Sequence, residues 1–192
     1  MIRAATIADA PRIAEIYRPF VEASTTSFEL VAPDAAEIAA RLERTTAVHP
    51  WIVHEEVAGS GDTTLTGYAY AVPFRARAAY RWCVESSVYV DPAWTGRGIG
   101  RSLMEVLMRL LTDLGLHEVV AGVTLPNPAS VRLHETLGFE AVGVFPRSGW
   151  KDGGWHDVGF WTRSLRLGPP EADPRPWPSH PAAAGGPIAV DG

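Results

Sequence analysis

The spacing of apolar residues along the chain alternates between a helical repeat and an extended repeat. Ile13, Ile16 and Phe20 recur at helical spacing and predict a helix that starts near Pro11. Similar repeats predict three further helices, which begin at Asp34, Arg101 and Ala129.

Between these helices lie short stretches rich in β-branched and aromatic residues, which predict strands. They span residues 2–5, 51–57, 65–74, 81–90, 119–124, 140–145 and 158–165. A turn cluster, Gly59-Ser60-Gly61-Asp62, separates the second strand from the third. An aromatic-rich segment, residues 150–155, separates the last two strands. The alternation of strands and helices predicts an α/β fold.

The composition changes near the C-terminus. From Gly168 onward the sequence is rich in proline and poor in large aliphatic residues. Such a segment cannot bury enough apolar surface to offset the entropy lost on ordering. The sequence therefore predicts one folded domain over residues 1–167 and a flexible tail over residues 168–192, with no catalytic role for the tail.

The charge balance argues against a nucleic-acid-binding protein. The chain has 17 Lys and Arg residues against 22 Asp and Glu residues, which gives a formal net charge of −5. No basic block or stripe is visible, whereas nucleic-acid-binding surfaces usually carry one. The longest apolar runs are also far too short to span a bilayer. We therefore expect neither a nucleic-acid partner nor a membrane partner.

The single cysteine, Cys83, cannot form an internal disulfide. This argues against a disulfide-stabilised secreted domain and is compatible with a reducing cytoplasm. The first residues show no signal-peptide pattern. No group of His, Cys and acidic residues has the spacing of metal ligands, so no metal is expected.

The most informative segment is a predicted strand that runs into a glycine-rich loop and then into a helix. The loop contains Gly96, Gly98 and Gly100. This geometry directs backbone N–H groups towards one point at the positive end of a helix dipole, which suits a pyrophosphate. A tight turn with no ligand is the alternative. The spacing matches neither a P-loop nor a dinucleotide-binding fingerprint.

The strand, loop and helix resemble the coenzyme A loop of GNAT acetyltransferases. Four further stretches resemble the phosphinothricin N-acetyltransferase branch of that family, in the same order and at the same spacing. They are residues 70–80, 85–90, 125–139 and 155–161. The resemblance extends over roughly residues 2–167.

The resemblance implies a mixed central sheet of about six or seven strands, with splayed central strands and about four flanking helices. It also implies that acetyl-CoA donates an acetyl group to the amine of a small amino-acid-like substrate, of the phosphinothricin or methionine sulfoximine type. A homodimer is expected on the same basis.

The residues that the resemblance assigns to acetyl-CoA lie on the strand, on the loop and after the next strand. They are Val88, Tyr89, Val90, Gly96, Arg97, Gly98, Ile99, Gly100, Arg101, Asn127 and Ser130. This chain has Thr95 where the family usually has Gln or Arg, and Arg97 would replace the missing positive charge.

Amine acetylation needs a base, because a free amino group is mostly protonated at neutral pH. Glu85 is the leading candidate, since burial in a central strand would raise its pKa. The alternative is a carboxylate that pairs with an arginine for structural reasons. The family resemblance also points to His134, which could act as a base or as an acid. The alternative for His134 is a structural helix histidine.

Four residues are candidates for binding the acceptor. Arg75 and Arg77 suit an anionic substrate, because a guanidinium binds carboxylate-like groups in bidentate fashion. Tyr80 lies close to them in sequence, and Phe28 would form a wall of the pocket. The alternatives are a solvated turn for the arginines and a core position for Phe28.

Two other functions remain open at this point. One is a GNAT enzyme that acetylates protein N-termini or antibiotic-type amines. The other is a coenzyme A-binding sensor without activity, for which Thr95 is the only motivation.

Overall fold

The computed structural model of the protein describes residues 1–57 and 61–190. Gly59 and Ser60 of the predicted turn cluster, and the last two residues of the predicted tail, lie outside the described residues. The described strands form one mixed sheet in the order β1-β2-β3-β4-β5-β7-β6. Their bounds are β1 Ile2–Ala4, β2 Trp51–Val57, β3 Thr63–Pro73, β4 Cys83–Val90, β5 Glu118–Leu125, β6 Glu140–Lys151 and β7 Gly154–Ser164.

Within the described residues, four α-helices accompany the sheet: α1 Ala10–Glu22, α2 Ala35–Thr46, α3 Ile99–Leu114 and α4 Pro128–Thr136. Helices α1 and α2 cover one face through a buried cluster that includes Ile13, Ile38 and Trp51. Helix α3 packs on the opposite face, where Leu103 and Leu107 are fully buried. The seven strands and four helices confirm the predicted α/β architecture.

The central feature of the sheet is the short contact between β4 and β5, which run parallel. They are paired only at Cys83–Glu118, Val84–Val119 and Glu85–Val120. Beyond Glu85, β4 continues to pair with β3 as far as Val90, while β5 pairs with β7. The two central strands therefore diverge, as the resemblance implied.

The last two strands form a longer hairpin than the sequence predicted, because the aromatic segment belongs to it. Trp150 and Trp155 are paired across β6 and β7, with ring centroids 5.3 Å apart. Aromatic cross-strand pairs of this kind stabilise a hairpin. A register shift between Phe145 and Gly149, with Arg147 at a φ of 51°, hides the strand pattern in the sequence.

The C-terminal segment differs from the predicted flexible tail. Trp177 is only 3% exposed and belongs to the core cluster under α3. Its backbone N–H donates to the carbonyl of Val48, and Ile188 forms a β-bridge with Ile2. The composition predicted disorder because the segment is proline-rich and has few large aliphatic residues. The single aromatic side chain of Trp177, packed into the core, buries the apolar surface that the rest of the segment lacks.

We expect Trp177→Ala to lower the free energy of unfolding by about 3 kcal/mol, because it removes a large buried side chain and leaves a cavity. Leu167→Ala is the control, since Leu167 is 91% exposed, and it should change stability by less than about 0.5 kcal/mol. Thermal and urea denaturation measure both. Equal melting temperatures for Trp177→Ala and the parent protein would contradict the packed position of the segment.

Candidate active site

The divergence of β4 and β5 opens a slot of about 60 Å³ in the middle of the sheet. On the β4 side, Ser87 to Val90 have ladder partners only in β3. Their other edge lies along the slot, as backbone that a linear ligand could pair with. The slot is lined by Thr26, Ser86, Ser87, Val88, Tyr89, Gly122, Val123, Thr124, Asn127, Ser130 and His134.

Strand alternation divides the side chains of β4 between the two faces of the sheet. Val88 and Val90 pack against the α3 cluster. Tyr89 points the other way, where its ring contacts Tyr17 and Phe20 at 4.8 and 5.1 Å. Tyr89 is one of the β4 residues predicted to bind acetyl-CoA. Because its side chain is packed against Tyr17 and Phe20, only its backbone is available to contact the ligand.

The glycine-rich loop leads directly into α3. Gly96 and Gly98 have φ angles of 77° and 79°, a region that favours glycine, and Gly98 is the N-cap of the helix. A Cβ atom at either glycine would meet no atom within 4 Å. The loop surface is therefore open, and the first N–H groups of α3 have no intrahelical acceptor. This arrangement suits a pyrophosphate.

The side chains of the loop have partners of their own. The Arg97 guanidinium lies over the Trp94 ring at 4.5 Å, and Arg101 pairs with Glu105 at 2.8 Å. The Thr95 hydroxyl donates to the carbonyl of Pro92. Ile99 is buried in the core, so that it too offers only its backbone to a ligand.

Glu85 lies at the vertex where β4 and β5 separate. A Cβ atom at Gly122 on β5 would be 3.4 Å from the Glu85 Oε1, so the carboxylate lies directly over this glycine. Burial raises the pKa of the Glu85 carboxyl, and the positive charge of Arg75 opposes that rise only in part. The carboxylate therefore lies beside Gly122, which lines the slot, and has a proton affinity above that of an ordinary glutamate.

His134 lies on α4, on the other side of the slot, and is 5% exposed. Its Nδ1 is 2.8 Å from the carbonyl oxygen of Ser130. Because a carbonyl only accepts, Nδ1 carries the proton and Nε2 holds the lone pair in the neutral ring. Burial lowers the pKa of His134, and the bond to Ser130 opposes this in part. The ring is therefore neutral at physiological pH.

Asn127 and Ser130 form the start of α4, where the chain leaves β5. The Asn127 Oδ1 accepts a hydrogen bond from the Ser130 N–H at 3.1 Å, and Pro128 occupies the first helical position. Both residues line the slot. The capping role fixes the Asn127 side chain, and its amide nitrogen can donate to a carbonyl in the slot.

The connection between α1 and α2, residues 23–34, covers the slot from one side and is held by a buried lysine. Lys151, on β6, is 5% exposed. Its ammonium donates to the carbonyls of Val21, Ser24 and Ser27 at 2.5, 2.9 and 2.8 Å. A cation at the C-terminal end of α1 also interacts favourably with the helix dipole. Lys151 therefore fixes the connection that brings Thr26 to the slot.

Phe28, on the same connection, is packed against the β6–β7 hairpin. A Cβ atom at Gly149 would be only 2.2 Å from the Phe28 ring, so position 149 must be a glycine for the ring to pack there. The ring centroid is 6.3 Å from that of His156. The structure places Phe28 between the α1–α2 connection and the β6–β7 hairpin rather than in the domain core, and Phe28 is not among the residues that line the slot.

Arg75, Arg77 and Tyr80 lie on the exposed connection between β3 and β4. Arg75 stacks on Phe74 at 4.2 Å, and its charge acts on the Glu85 carboxyl. Arg77 lines a cavity that Arg75 shares. Tyr80 makes an edge contact with Phe74 at 5.9 Å. Arg75 is thus the member of this group that is electrostatically coupled to Glu85.

Several site residues carry no signal in the sequence. Thr26, Gly122 and Thr124 line the slot, but each reaches it through pairing or packing between distant segments. In the part of the chain that the structure describes, no group of three or more His, Cys, Asp or Glu residues could hold a metal ion. Among the same residues, no helix has the length and apolar character that crossing a bilayer requires.

Comparisons with known proteins agree with this geometry. Residues 11–139 match the model of the acetyltransferase (GNAT) family. The phosphinothricin N-acetyltransferase of Streptomyces viridochromogenes is 42% identical, over 91% of this chain and 93% of that protein. The L-methionine sulfoximine/L-methionine sulfone acetyltransferase of Salmonella typhimurium is 37% identical, over 83% and 91%.

A solved Salmonella typhimurium acetyltransferase, determined with its cofactor acetyl-CoA, superposes with a TM-score of 0.84. It is 35% identical, over 90% of this chain and 98% of that chain. The splayed sheet, the glycine loop and these matches together show that the chain belongs to the GNAT acetyltransferase family, in the group that includes the phosphinothricin N-acetyltransferases.

Proposed function

We propose that the protein transfers an acetyl group from acetyl-CoA to the amine of a small, anionic, amino-acid-like acceptor, with Glu85 as the general base. The observation that carries the proposal is the position of Glu85. Its half-buried carboxyl, whose pKa burial raises, lies over Gly122 at the vertex of the slot. A base matched to an amine needs such a raised proton affinity.

The residues present fit acetyl-CoA. The amides at the start of α3 and the open surface at Gly96 and Gly98 would hold the pyrophosphate. The free edge of Ser87 to Val90, and the Asn127 amide, would bind the pantetheine arm. When bound, acetyl-CoA supplies the thioester that the amine attacks.

Two residues of the protein, Glu85 and His134, are placed to accept protons during the reaction. Glu85 accepts the proton of the acceptor's ammonium group, directly or through water, and leaves a neutral nucleophile. His134 is suited to accept a proton rather than to donate one, because its ring is neutral and Nδ1 is bound to Ser130. Its role is therefore that of a second base or a hydrogen-bond acceptor beside the slot.

The acceptor's anionic groups would lie near Arg75 and Arg77, on the connection next to Glu85. A guanidinium binds a carboxylate or a phosphinate through two parallel hydrogen bonds. Phe28 and Thr26 would limit the space opposite. The relatives named for phosphinothricin and methionine sulfoximine support an acceptor of this size.

The single free cysteine supports a cytoplasmic location.

The proposed working form is a homodimer that covers the β6–β7 hairpin. This hairpin exposes Val142, Val144, Phe145, Trp150 and Trp155, and apolar patches of this kind usually mark an interaction site. Since Phe28 packs against Gly149 of the hairpin, a second copy packed on the hairpin would lie near the α1–α2 connection.

The reaction is tested by release of free thiol from acetyl-CoA. We expect turnover with L-phosphinothricin and L-methionine sulfoximine, and at most weak turnover with the common neutral L-amino acids. Product mass spectrometry should show one acetyl group on the acceptor's amine. If thiol is released with none of these acceptors, the proposed substrate class is wrong.

Glu85→Gln should lower kcat/KM by about 10²–10⁴-fold, because it removes the base and keeps the shape. In the parent protein kcat/KM should rise with pH as Glu85 ionises.

The raised pKa of Glu85 also means that its ionisation lowers the folding stability as the pH rises through this pKa. Glu85→Gln should therefore be at least as stable as the parent protein at neutral pH. A less stable variant with unchanged kcat/KM would contradict the assignment.

Sedimentation at micromolar concentration tests the dimer. We expect a dimer for the parent protein and a monomer for Phe145→Glu, because Phe145 is a large apolar residue of the patch and is 62% exposed. Leu30→Glu alters an apolar residue on the connection between α1 and α2 that is 76% exposed, and it should remain dimeric. A monomeric parent protein would contradict the proposed assembly.

A further inference from the structure

Lys151 is the only lysine among the 17 lysine and arginine residues of the sequence, and all the others are arginines. Its position is also unusual, because it is only 5% exposed. Lysine is almost never fully buried unless its charge has partners. The chain therefore places its one ammonium side chain where burial disfavours it, which calls for a specific role.

The partners of Lys151 explain why this position holds a lysine. The carbonyls of Val21, Ser24 and Ser27 accept hydrogen bonds from its Nζ atom at 2.5, 2.9 and 2.8 Å. An ammonium group carries three donors on a single atom, whereas a guanidinium spreads its five donors over a rigid, planar fork. Three carbonyls that converge on one point therefore favour lysine, in a chain that otherwise uses arginine.

The bonds from Lys151 fix the backbone on both sides of Thr26. Thr26 lies between Ser24 and Ser27 in the sequence and lines the slot. The same segment is folded back on α1, because the Ser24 hydroxyl and the Ser27 N–H both donate to the carbonyl of Phe20, at 3.0 and 3.4 Å. The position of Thr26 at the slot thus depends on an ammonium group that comes from the β6–β7 hairpin.

This segment belongs to the side of the sheet that carries the proposed base. Side chains alternate along β4, so Glu85 shares a face with Tyr89, whose ring contacts Tyr17 of α1. Val88 and Val90 lie on the opposite face, with α3. An acceptor amine bound at Glu85 is therefore on the side of the α1–α2 connection, whereas the glycine loop leads into the helix on the other side.

We propose that Lys151 is a positioning residue for the acceptor. By holding the carbonyls on both sides of Thr26, it sets the wall of the slot that the acceptor meets, without contacting the substrate itself. The inference rests on the proposed function, which it deepens. It predicts that loss of the ammonium group impairs use of the acceptor and leaves the binding of coenzyme A unchanged.

Three variants test this role. Lys151→Met removes the three donors and keeps a long, unbranched side chain. Lys151→Arg keeps the positive charge but replaces the single donor atom by a fork. Arg18→Met is the matched control, because it removes an exposed cation from α1. Kinetics are measured with L-phosphinothricin and with acetyl-CoA varied in turn, and calorimetric titration with coenzyme A reports on cofactor binding without turnover.

We expect Lys151→Met to lower kcat/KM for the acceptor by about 10–100-fold, because a displacement of about 1 Å far from the chemistry can have an effect of this size. The change should appear mainly in the KM of the acceptor. The KM of acetyl-CoA and the Kd of coenzyme A should match those of the parent protein. Lys151→Arg should recover little of the loss, and Arg18→Met should behave as the parent protein does. An unchanged KM for the acceptor, or equal losses for acceptor and cofactor, would overturn the positioning role.

Amide hydrogen exchange tests the same role without turnover, and its second part needs no variant. In Lys151→Met, exchange should be faster in peptides that cover residues 23–29 and unchanged in residues 96–101. In the parent protein saturated with coenzyme A, L-phosphinothricin should slow exchange in residues 23–29. Faster exchange in both segments of the variant, or no response of residues 23–29 to phosphinothricin, would contradict the inference. Thiol release by the parent protein reports separately on the proposed reaction.

Discussion

The site depends on one constraint, which is that β4 and β5 pair over only three residues before they diverge. Parallel neighbours in a sheet normally exchange backbone hydrogen bonds along their length. Here β4 is held by β3 and β5 is held by β7, so each strand keeps one partner while the edges between them separate. The separation creates the slot and exposes β4 backbone to it. It also places Glu85 at the vertex.

The α1–α2 connection, which covers the slot, is tied to the β6–β7 hairpin. The ammonium group of Lys151, on the hairpin, binds the end of α1. The Phe28 ring, on the connection, packs against Gly149 of the hairpin. The Glu29 carboxylate extends this link to α2, because it accepts from Tyr17 and from the Arg41 guanidinium. A buried ammonium is tolerated here because each of its three donors has a carbonyl acceptor. Movement of the hairpin would therefore disturb the α1–α2 connection.

Local sequence was sufficient where the chemistry is local. The glycine loop, the N-terminus of α3 and the capping of α4 by Asn127 are each encoded within a few residues, and the structure has them in the expected form. Glu85 could be singled out because a carboxylate is unusual in a central strand. The protonation state of His134 needed the structure, since burial favours the neutral ring and the distance to Ser130 assigns the proton to Nδ1.

Sequence reasoning failed where the outcome depends on distant partners. The proline-rich composition of the C-terminal segment gave no sign that Trp177 would enter the core beside α3. Local sequence does not identify the partners of Lys151, because they lie more than 120 residues earlier in the chain. The hairpin was underestimated because a bulge interrupts the alternation of its side chains.

Amide hydrogen exchange with and without acetyl-CoA tests the central claim most directly, because it reports on the backbone itself. If the splayed edge and the glycine loop hold the ligand, exchange should slow in peptides that cover residues 87–90 and 96–101. Exchange in β1 and β2, on the far side of the sheet, should not change. Unchanged exchange in both site peptides at saturating acetyl-CoA would contradict the account.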